Sequence, residues 1–203
     1  MKPGAYIAIE GPIGVGKTTL AGRLADSLGS GVLAEAPEEN PFLADFYADP
    51  GAYALPAQLS FLLQRARQID GLRQADLFDN GCVADFMFDK DPLFARLNLS
   101  GPELKLYEDI SARLAWRPPR PDCVIYIHAS VDTLMARIEK RARRAERGLQ
   151  REYLVRVVDA YHQFFSTYDA TPLIRVDAEK MDLVGNPTDY RTLVTTLGRR
   201  LTD

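Results

Sequence analysis

Short apolar, β-branched runs recur along the chain near 5–10, 32–34, 82–85, 123–128 and 173–177, and stretches with helical spacing of their apolar residues lie between them. Strands that alternate with helices predict a parallel sheet covered by helices on both faces. Pro118-Pro119-Arg120-Pro121 punctuates the approach to the run at 123–128, and Asn186-Pro187 opens the last helix. No repeat, low-complexity tract or composition shift marks a linker. The expectation is one α/β domain over 1–203, built on five strands, with ligands taken up where the strands end at their carboxyl side.

The first run carries the strongest chemical signal. Ala5-Tyr6-Ile7-Ala8-Ile9 leads into Gly11-Pro12-Ile13-Gly14-Val15-Gly16-Lys17-Thr18, which reads G-x-x-x-x-G-K-T, and the helical segment Leu20 to Leu28 follows. A glycine loop between strand and helix is the setting a P-loop requires. Successive backbone N–H groups and the start of the helix form an anion cradle, and the glycines let the backbone approach phosphates closely. The phosphate-binding set is Gly11, Ile13, Gly14, Val15, Gly16, Lys17, Thr18 and Thr19. Lys17 reaches the β/γ oxygens, and the Thr18 hydroxyl ligates Mg²⁺. The chain is therefore expected to bind a nucleoside triphosphate, ATP in the first instance.

Bulk properties narrow the use of that nucleotide. With 203 residues, 46% of them hydrophobic, the chain can bury one full-sized core, and it has no long charge-free apolar segment to span a membrane. Nothing in Met1-Lys2-Pro3-Gly4 resembles an export signal, so a cytoplasmic location is expected. Cys82 and Cys123 lack metal-ligand spacing and read as small buried hydrophobes, and His128 and His162 form no cluster in the sequence. A formal net charge of −3 argues against nucleic acid as a partner.

Carboxylates stand where two strands end. Glu35 leaves the second strand in Glu35-Ala36-Pro37, and Asp85 closes Cys82-Val83-Ala84 at the usual place for a carboxylate that orients Mg²⁺ or its waters. Phosphoryl transfer needs a metal holder and a group that positions or deprotonates the acceptor, and these two residues suit those tasks. On the long helical segment, Gln58, Leu62, Arg65 and Ile69 succeed one another at steps of four, three and four, so the Gln58 amide and the Arg65 guanidinium share a face. A glutamine amide can bond a nucleobase edge as donor and acceptor at once.

Taken in order, the P-loop, Glu35-Ala36-Pro37, Phe46-Tyr47-Ala48-Asp49-Pro50, Gln58 to Gln68, Asp85 to Phe94, and Arg141-Ala142-Arg143-Arg144-Ala145-Glu146 with Tyr153-Leu154 resemble the deoxyribonucleoside kinases, in particular the bacterial deoxyadenosine/deoxyguanosine kinase branch. The resemblance covers nearly the whole chain. It implies a P-loop kinase fold, a five-stranded parallel sheet with helices on both faces and a short arginine-rich lid at about 141–151, a homodimer packed beside the long helix, and ATP-dependent phosphorylation of a deoxynucleoside 5′-hydroxyl in nucleotide salvage. The implied substrate is a purine nucleoside, with deoxycytidine as runner-up. By resemblance Glu35 is the base that takes the 5′-hydroxyl proton, Tyr47 and Glu146 hold the 3′-hydroxyl, and Gln58 reads the base. Arg65 with its partner Asp91 lies near the base edge, and Phe94 stacks on the base. Arg141 and Arg143 of the lid neutralise charge on the transferring phosphoryl group, with Lys17 and Arg141 joining Glu35 as catalytic residues.

One family element is broken. The triplet Asp/Glu-Arg-Ser is replaced by Asp85-Phe86-Met87, followed by Phe88-Asp89-Lys90-Asp91. Asp85 keeps the metal-side carboxylate, but Phe86 stands where an arginine would lie by the 5′-hydroxyl, and Lys90 is the candidate to supply the missing charge. The arginines from Arg137 to Arg151 are interleaved with Glu139 and Glu146, which weighs against a nucleic-acid patch. Three other classes share the P-loop. A nucleoside monophosphate kinase calls for basic residues in its acceptor pocket, a GTPase switch for an Asn-Lys-x-Asp reader that Asp89-Lys90-Asp91 is not, and a non-catalytic ATP module leaves Glu35, Gln58 and the lid without purpose.

Overall fold

Five strands form at the five apolar runs: β1 (Tyr6–Glu10), β2 (Gly31–Leu33), β3 (Cys82–Ala84), β4 (Cys123–His128) and β5 (Leu173–Asp177). The computed structural model describes residues 4–74, 81–114 and 118–202. All strand pairings are parallel, in the order β2-β3-β1-β4-β5. Central β1 is buried throughout, with Ile7 beside Val83 on one side and Cys123 on the other. Burial on both faces explains why β1 and β4 are written almost wholly in apolar residues.

Between the strands run α1 (Lys17–Leu28), α2 (Leu43–Ala48), the long α3 (Pro50–Gln74), α4 (Lys90–Asn98), α5 (Gly101–Leu114), α6 (Val131–Arg141), α7 (Arg151–Ser166) and α8 (Pro187–Arg200). None of the described helices is long and apolar enough to cross a membrane. Asn186 caps α8 as expected, its side chain accepting from the Thr188 N–H at 2.9 Å with Pro187 in the first turn. The loop before α8 is pinned by Arg23, whose guanidinium donates to the carbonyls of Leu183 and Val184 at 2.6 and 2.8 Å and lies 3.8 Å over the Tyr190 ring.

The chain leaves β1 for β2 and β3 on one side, then crosses to β4 and β5 on the other. A crevice opens at such a switch, at the carboxyl end of β1, and the P-loop occupies it. Two glycines there have no substitute. A Cβ on Gly11 would stand 2.1 Å from the Ile127 carbonyl oxygen of β4, and one on Gly14, whose φ is +87°, would meet Ile138 Cγ1 of α6 at 2.8 Å.

Both cysteines are buried as expected, and burial pushes each thiol up to about 11. The histidines depart from expectation. His128 and His162 are spatial neighbours with ring centroids 5.9 Å apart, because α7 packs beside the end of β4, and the Tyr126 hydroxyl lies 3.5 Å from His162 Nδ1. Among the described residues no group of His, Cys, Asp and Glu side chains is arranged to hold a metal ion by itself.

Gly11→Ala tests the close approach of loop and sheet. The clash is with backbone rather than with a flexible side chain, so a cost of about 1–3 kcal/mol is expected, a fall in Tm of roughly 2–12 °C for a domain of this size. Nucleotide affinity should fall with it, measured by thermal melts and titration with ATP.

Candidate active site

Every residue assigned a role from the sequence lines one cavity of about 230 Å³, except Val15 and Asp91. The Val15 side chain is buried beneath the loop and borders a second hollow beside the P-loop, toward the 178–184 loop. Asp91 is fully buried and does not reach the cavity. It forms an ion pair with Arg65 and accepts from the Tyr107 hydroxyl, so it supports the arginine from behind instead of contacting the base edge.

At the floor, Lys17 Nζ donates to the carbonyls of Gly11 and Pro12 at 2.7 and 3.2 Å. Its ammonium is held below the usual lysine range, first by burial and then by the nearby Lys90. Gly16 precedes α1 in the left-handed region with no side-chain cap, so the first turn keeps backbone N–H groups for an anion. The Thr18 hydroxyl donates to Asp85 Oδ2 at 2.6 Å, and the Glu35 N–H donates to Asp85 Oδ1 at 2.7 Å. Asp85 thereby joins the phosphate end to the strand that delivers Glu35.

Glu35 is the focus of the charges. Its Oε1 accepts from Arg65 at 2.9 Å and lies 2.7 Å from Lys90 Nζ. Burial alone would raise this carboxyl, but Lys90 and Arg65, with Lys17 behind them, outweigh burial and hold it at about 2. Lys90 opens α4 and brings its ammonium to Glu35, and Phe86 is fully buried against Phe88 and Ile69. The Phe86 ring backs both cations, 6.0 Å from the Arg65 guanidinium and 5.8 Å from Lys90 Nζ.

The backbone around Glu35 is constrained as well. Ala36 has φ +51°, a conformation unfavourable for alanine, and Gln64 of α3 holds it by donating to the carbonyls of Glu35 and Ala36 at 2.7 and 3.1 Å. The face of α3 read from the sequence is real, since Gln58, Leu62, Arg65 and Ile69 are all buried. Gln58, Phe61, Arg65 and Phe94 line the same cavity as the P-loop residues.

The lid follows α6, which ends in a left-handed Ala142 at φ +50°. Arg141 and Glu146 are joined as an ion pair, with Arg141 Nε donating to Glu146 Oε2 at 2.9 Å. Gly148 seats the lid against α2, since a Cβ there would lie 3.0 Å from the Tyr47 carbonyl carbon. Burial, then Tyr153 and Glu146, push the Tyr47 phenol well above its ordinary range, so it faces the cavity as a neutral hydroxyl. Three residues at the site escaped the sequence reading: Glu10, Gln64 and Tyr161. The only sequence signal was for Glu10, as a lone carboxylate at the end of an apolar strand directly before the P-loop.

A P-loop at a sheet switch point, a carboxylate poised across from it and an arginine lid define a kinase that passes a phosphoryl group from a nucleotide to a hydroxyl. The sequence profile of the family named Deoxynucleoside kinase matches residues 7–202, and the chain belongs to that family. It is 34% identical to the deoxyguanosine kinase of Bacillus subtilis over 95% of this chain and 96% of that one, and 30% identical to the deoxyadenosine kinase of Lactobacillus acidophilus over 96% and 95%. The deoxyadenosine kinase of M. mycoides, solved with dCMP and a flexible dCDP, superposes with a TM-score of 0.82 at 26% identity, covering 96% of this chain and 99% of that one.

Glu35→Gln preserves shape while removing the anionic acceptor. Its kcat should fall by about 10²–10⁴-fold while ATP affinity changes little, as read by steady-state kinetics and nucleotide titration. The depressed folded-state value also makes Glu35 a source of stability that is complete above about pH 4.5 and is lost as pH falls toward 2. Acid melts should therefore show a shallower loss of Tm in the variant than in the wild type.

Proposed function

We propose that this deoxynucleoside kinase transfers the γ-phosphoryl group of ATP to the 5′-hydroxyl of a purine deoxynucleoside, deoxyadenosine or deoxyguanosine. The observation that carries the reading is that Glu35 lines one cavity with the P-loop and with Gln58, Phe61 and Phe94, with both neighbouring cations on its Oε1. No hydrogen bond from a described residue to Oε2 is formed, which leaves that oxygen to accept the 5′-hydroxyl. A carboxylate held near 2 is ionised throughout the neutral range, so it orients the hydroxyl at all working pH values and receives its proton late, as suits a loose transition state. Gln58 and Arg65 offer hydrogen bonds to the base edge, and Phe94 an aromatic face. The names of the bacterial relatives support a purine. The dCMP held by the M. mycoides enzyme keeps deoxycytidine as the second reading.

Thr18 and Asp85 fit a magnesium ion shared with the phosphates, a hydroxyl and one carboxylate being the sparse protein donor set that Mg²⁺ takes when substrate oxygens and water complete its shell. Bound there, the ion would neutralise charge on the β/γ oxygens. Lys17 releases the Gly11 and Pro12 carbonyls to meet the same phosphates, and Arg141 and Arg143 close from above. Tyr47 and Glu146 hold the 3′-hydroxyl from the lid side. The two cations beside Glu35, Arg65 and Lys90, are both committed to it, which disfavours a nucleoside monophosphate as acceptor. Leu63 of α3 and Leu106 and Leu114 of α5 are exposed apolar residues on the long helix and its neighbour, which supports a homodimer through that face.

A coupled ADP-release assay over purine and pyrimidine deoxynucleosides, ribonucleosides and deoxynucleoside monophosphates tests the assignment. Turnover with deoxyadenosine or deoxyguanosine supports it, and turnover confined to monophosphates overturns it. Within the same assay Lys90→Met should lower kcat about 10- to 150-fold, the worth of a charge-assisted contact, and an unchanged kcat would remove Lys90 from the site.

A further inference from the structure

Glu10 and Tyr161 have no part in the chemistry above, yet both adjoin its reacting end. Glu10 is fully buried where β1 runs into the P-loop. Its Oε2 accepts from the Met87 N–H at 2.7 Å, and its Oε1 accepts from the Gly11 N–H at 3.1 Å and from the Tyr161 hydroxyl at 2.7 Å. Lys90 Nζ lies 3.9 Å from that same Oε1 and 2.7 Å from Glu35 Oε1. The lysine thus stands between two carboxylates and is bonded to one of them.

The choice follows from the count of lone pairs. A carboxylate oxygen offers about two acceptor positions, and on Glu10 Oε1 the P-loop amide and the tyrosine hydroxyl fill both. Lys90 still feels the Glu10 charge, but the Glu10 oxygen it faces has no acceptor position free, and it bonds to Glu35 instead. We propose that Tyr161 is a positioning residue for the phosphoryl transfer, whose hydroxyl occupies Glu10 Oε1 and so keeps Lys90 on Glu35. The inference rests on the role given to Lys90 above. Without the hydroxyl, a buried carboxylate oxygen lacks one donor, which is costly, and the nearest mobile donor is the Lys90 ammonium on its flexible stem. Drawn back to Glu10, it would leave Glu35 with Arg65 alone. The Tyr161 ring is otherwise held by Tyr126 and Phe165, which it stacks on, and by Phe94 at its edge, so loss of the hydroxyl alone leaves the packing intact.

The test is a double-mutant cycle of Tyr161→Phe and Lys90→Met in the full-length enzyme, with kcat, both KM values and Tm measured on the deoxynucleoside that the wild type uses best. Tyr161→Phe should lower kcat about tenfold or more with KM values changed less than about threefold, and it should cost nothing further in the Lys90→Met background. Losses that multiply, or a wild-type kcat for Tyr161→Phe beside a slow Lys90→Met, would overturn the positioning role alone. A wild-type rate for Lys90→Met would remove the lysine's role and this inference with it, while leaving the kinase activity standing. Should Lys90→Met fail to melt cooperatively, Lys90→Gln takes its place in the cycle.

Discussion

A buried cluster of opposite charges at the carboxyl ends of the strands governs this active site. Arg65 and Lys90 are almost inaccessible to water, and so are Glu10 and Asp91, with Glu35 at the cavity edge. Taking such groups out of water is expensive, and the cost is recovered only when each charge meets a partner of good geometry with its remaining donors and acceptors satisfied. Here the partners come from four separate elements: β1 supplies Glu10, the exit of β2 supplies Glu35, α3 supplies Arg65, and α4 supplies Lys90 and Asp91. Each element is therefore held to a narrow position by the others. The same low-polarity setting that makes the cluster costly also makes its field strong, which is how Glu35 is kept ionised in a place where burial alone would protonate it.

The rest of the fold holds these elements in register. The parallel sheet sets β1 between neighbours approached from opposite directions, and the P-loop fills the resulting crevice with glycines that β4 and α6 approach too closely for any side chain. The two alanines with positive φ flank the working parts, Ala36 after Glu35 and Ala142 at the root of the lid. At Ala36 the compensation is visible in the two hydrogen bonds from Gln64, which tie the strained turn to the same helix that carries Arg65 and Gln58. The cavity residues Gln58 and Arg65 and the turn that carries Glu35 are thus referred to one element, α3.

The features legible in the sequence are those set by local periodicity and loop chemistry. The strands appear as apolar runs because a doubly covered sheet leaves no polar face, the P-loop appears because phosphate binding demands its spacing, and the buried stripe from Gln58 to Ile69 appears because helical geometry puts those residues on one side. Lys90 stands out only against the resemblance, through the broken triplet after Asp85, and the structure puts its ammonium 2.7 Å from Glu35. Glu10, Gln64 and Tyr161 escaped because their roles exist only through contacts across 151 positions in one case and about 30 in another, which no local pattern records. Asp91 was placed one layer too far forward for the same reason, since the sequence gives its neighbourhood to Arg65 but not the depth at which they meet. The pairing of His128 with His162 likewise depends on the docking of α7 beside β4.

Lys90 in the first turn of α4 differs in kind from a cation placed directly after Asp85. An arginine following Asp85 would present a planar fork suited to gripping a carboxylate with two parallel bonds, whereas a lysine offers a compact charge with three donors that reorients easily. A cation on that flexible stem needs its surroundings to choose its partner. Phe86 contributes a fully buried ring that lies behind both cations without competing for their hydrogen bonds. Phe86 and Lys90 therefore work together with Arg65, so that packing behind the cations as well as hydrogen bonding in front of them fixes the charges around Glu35.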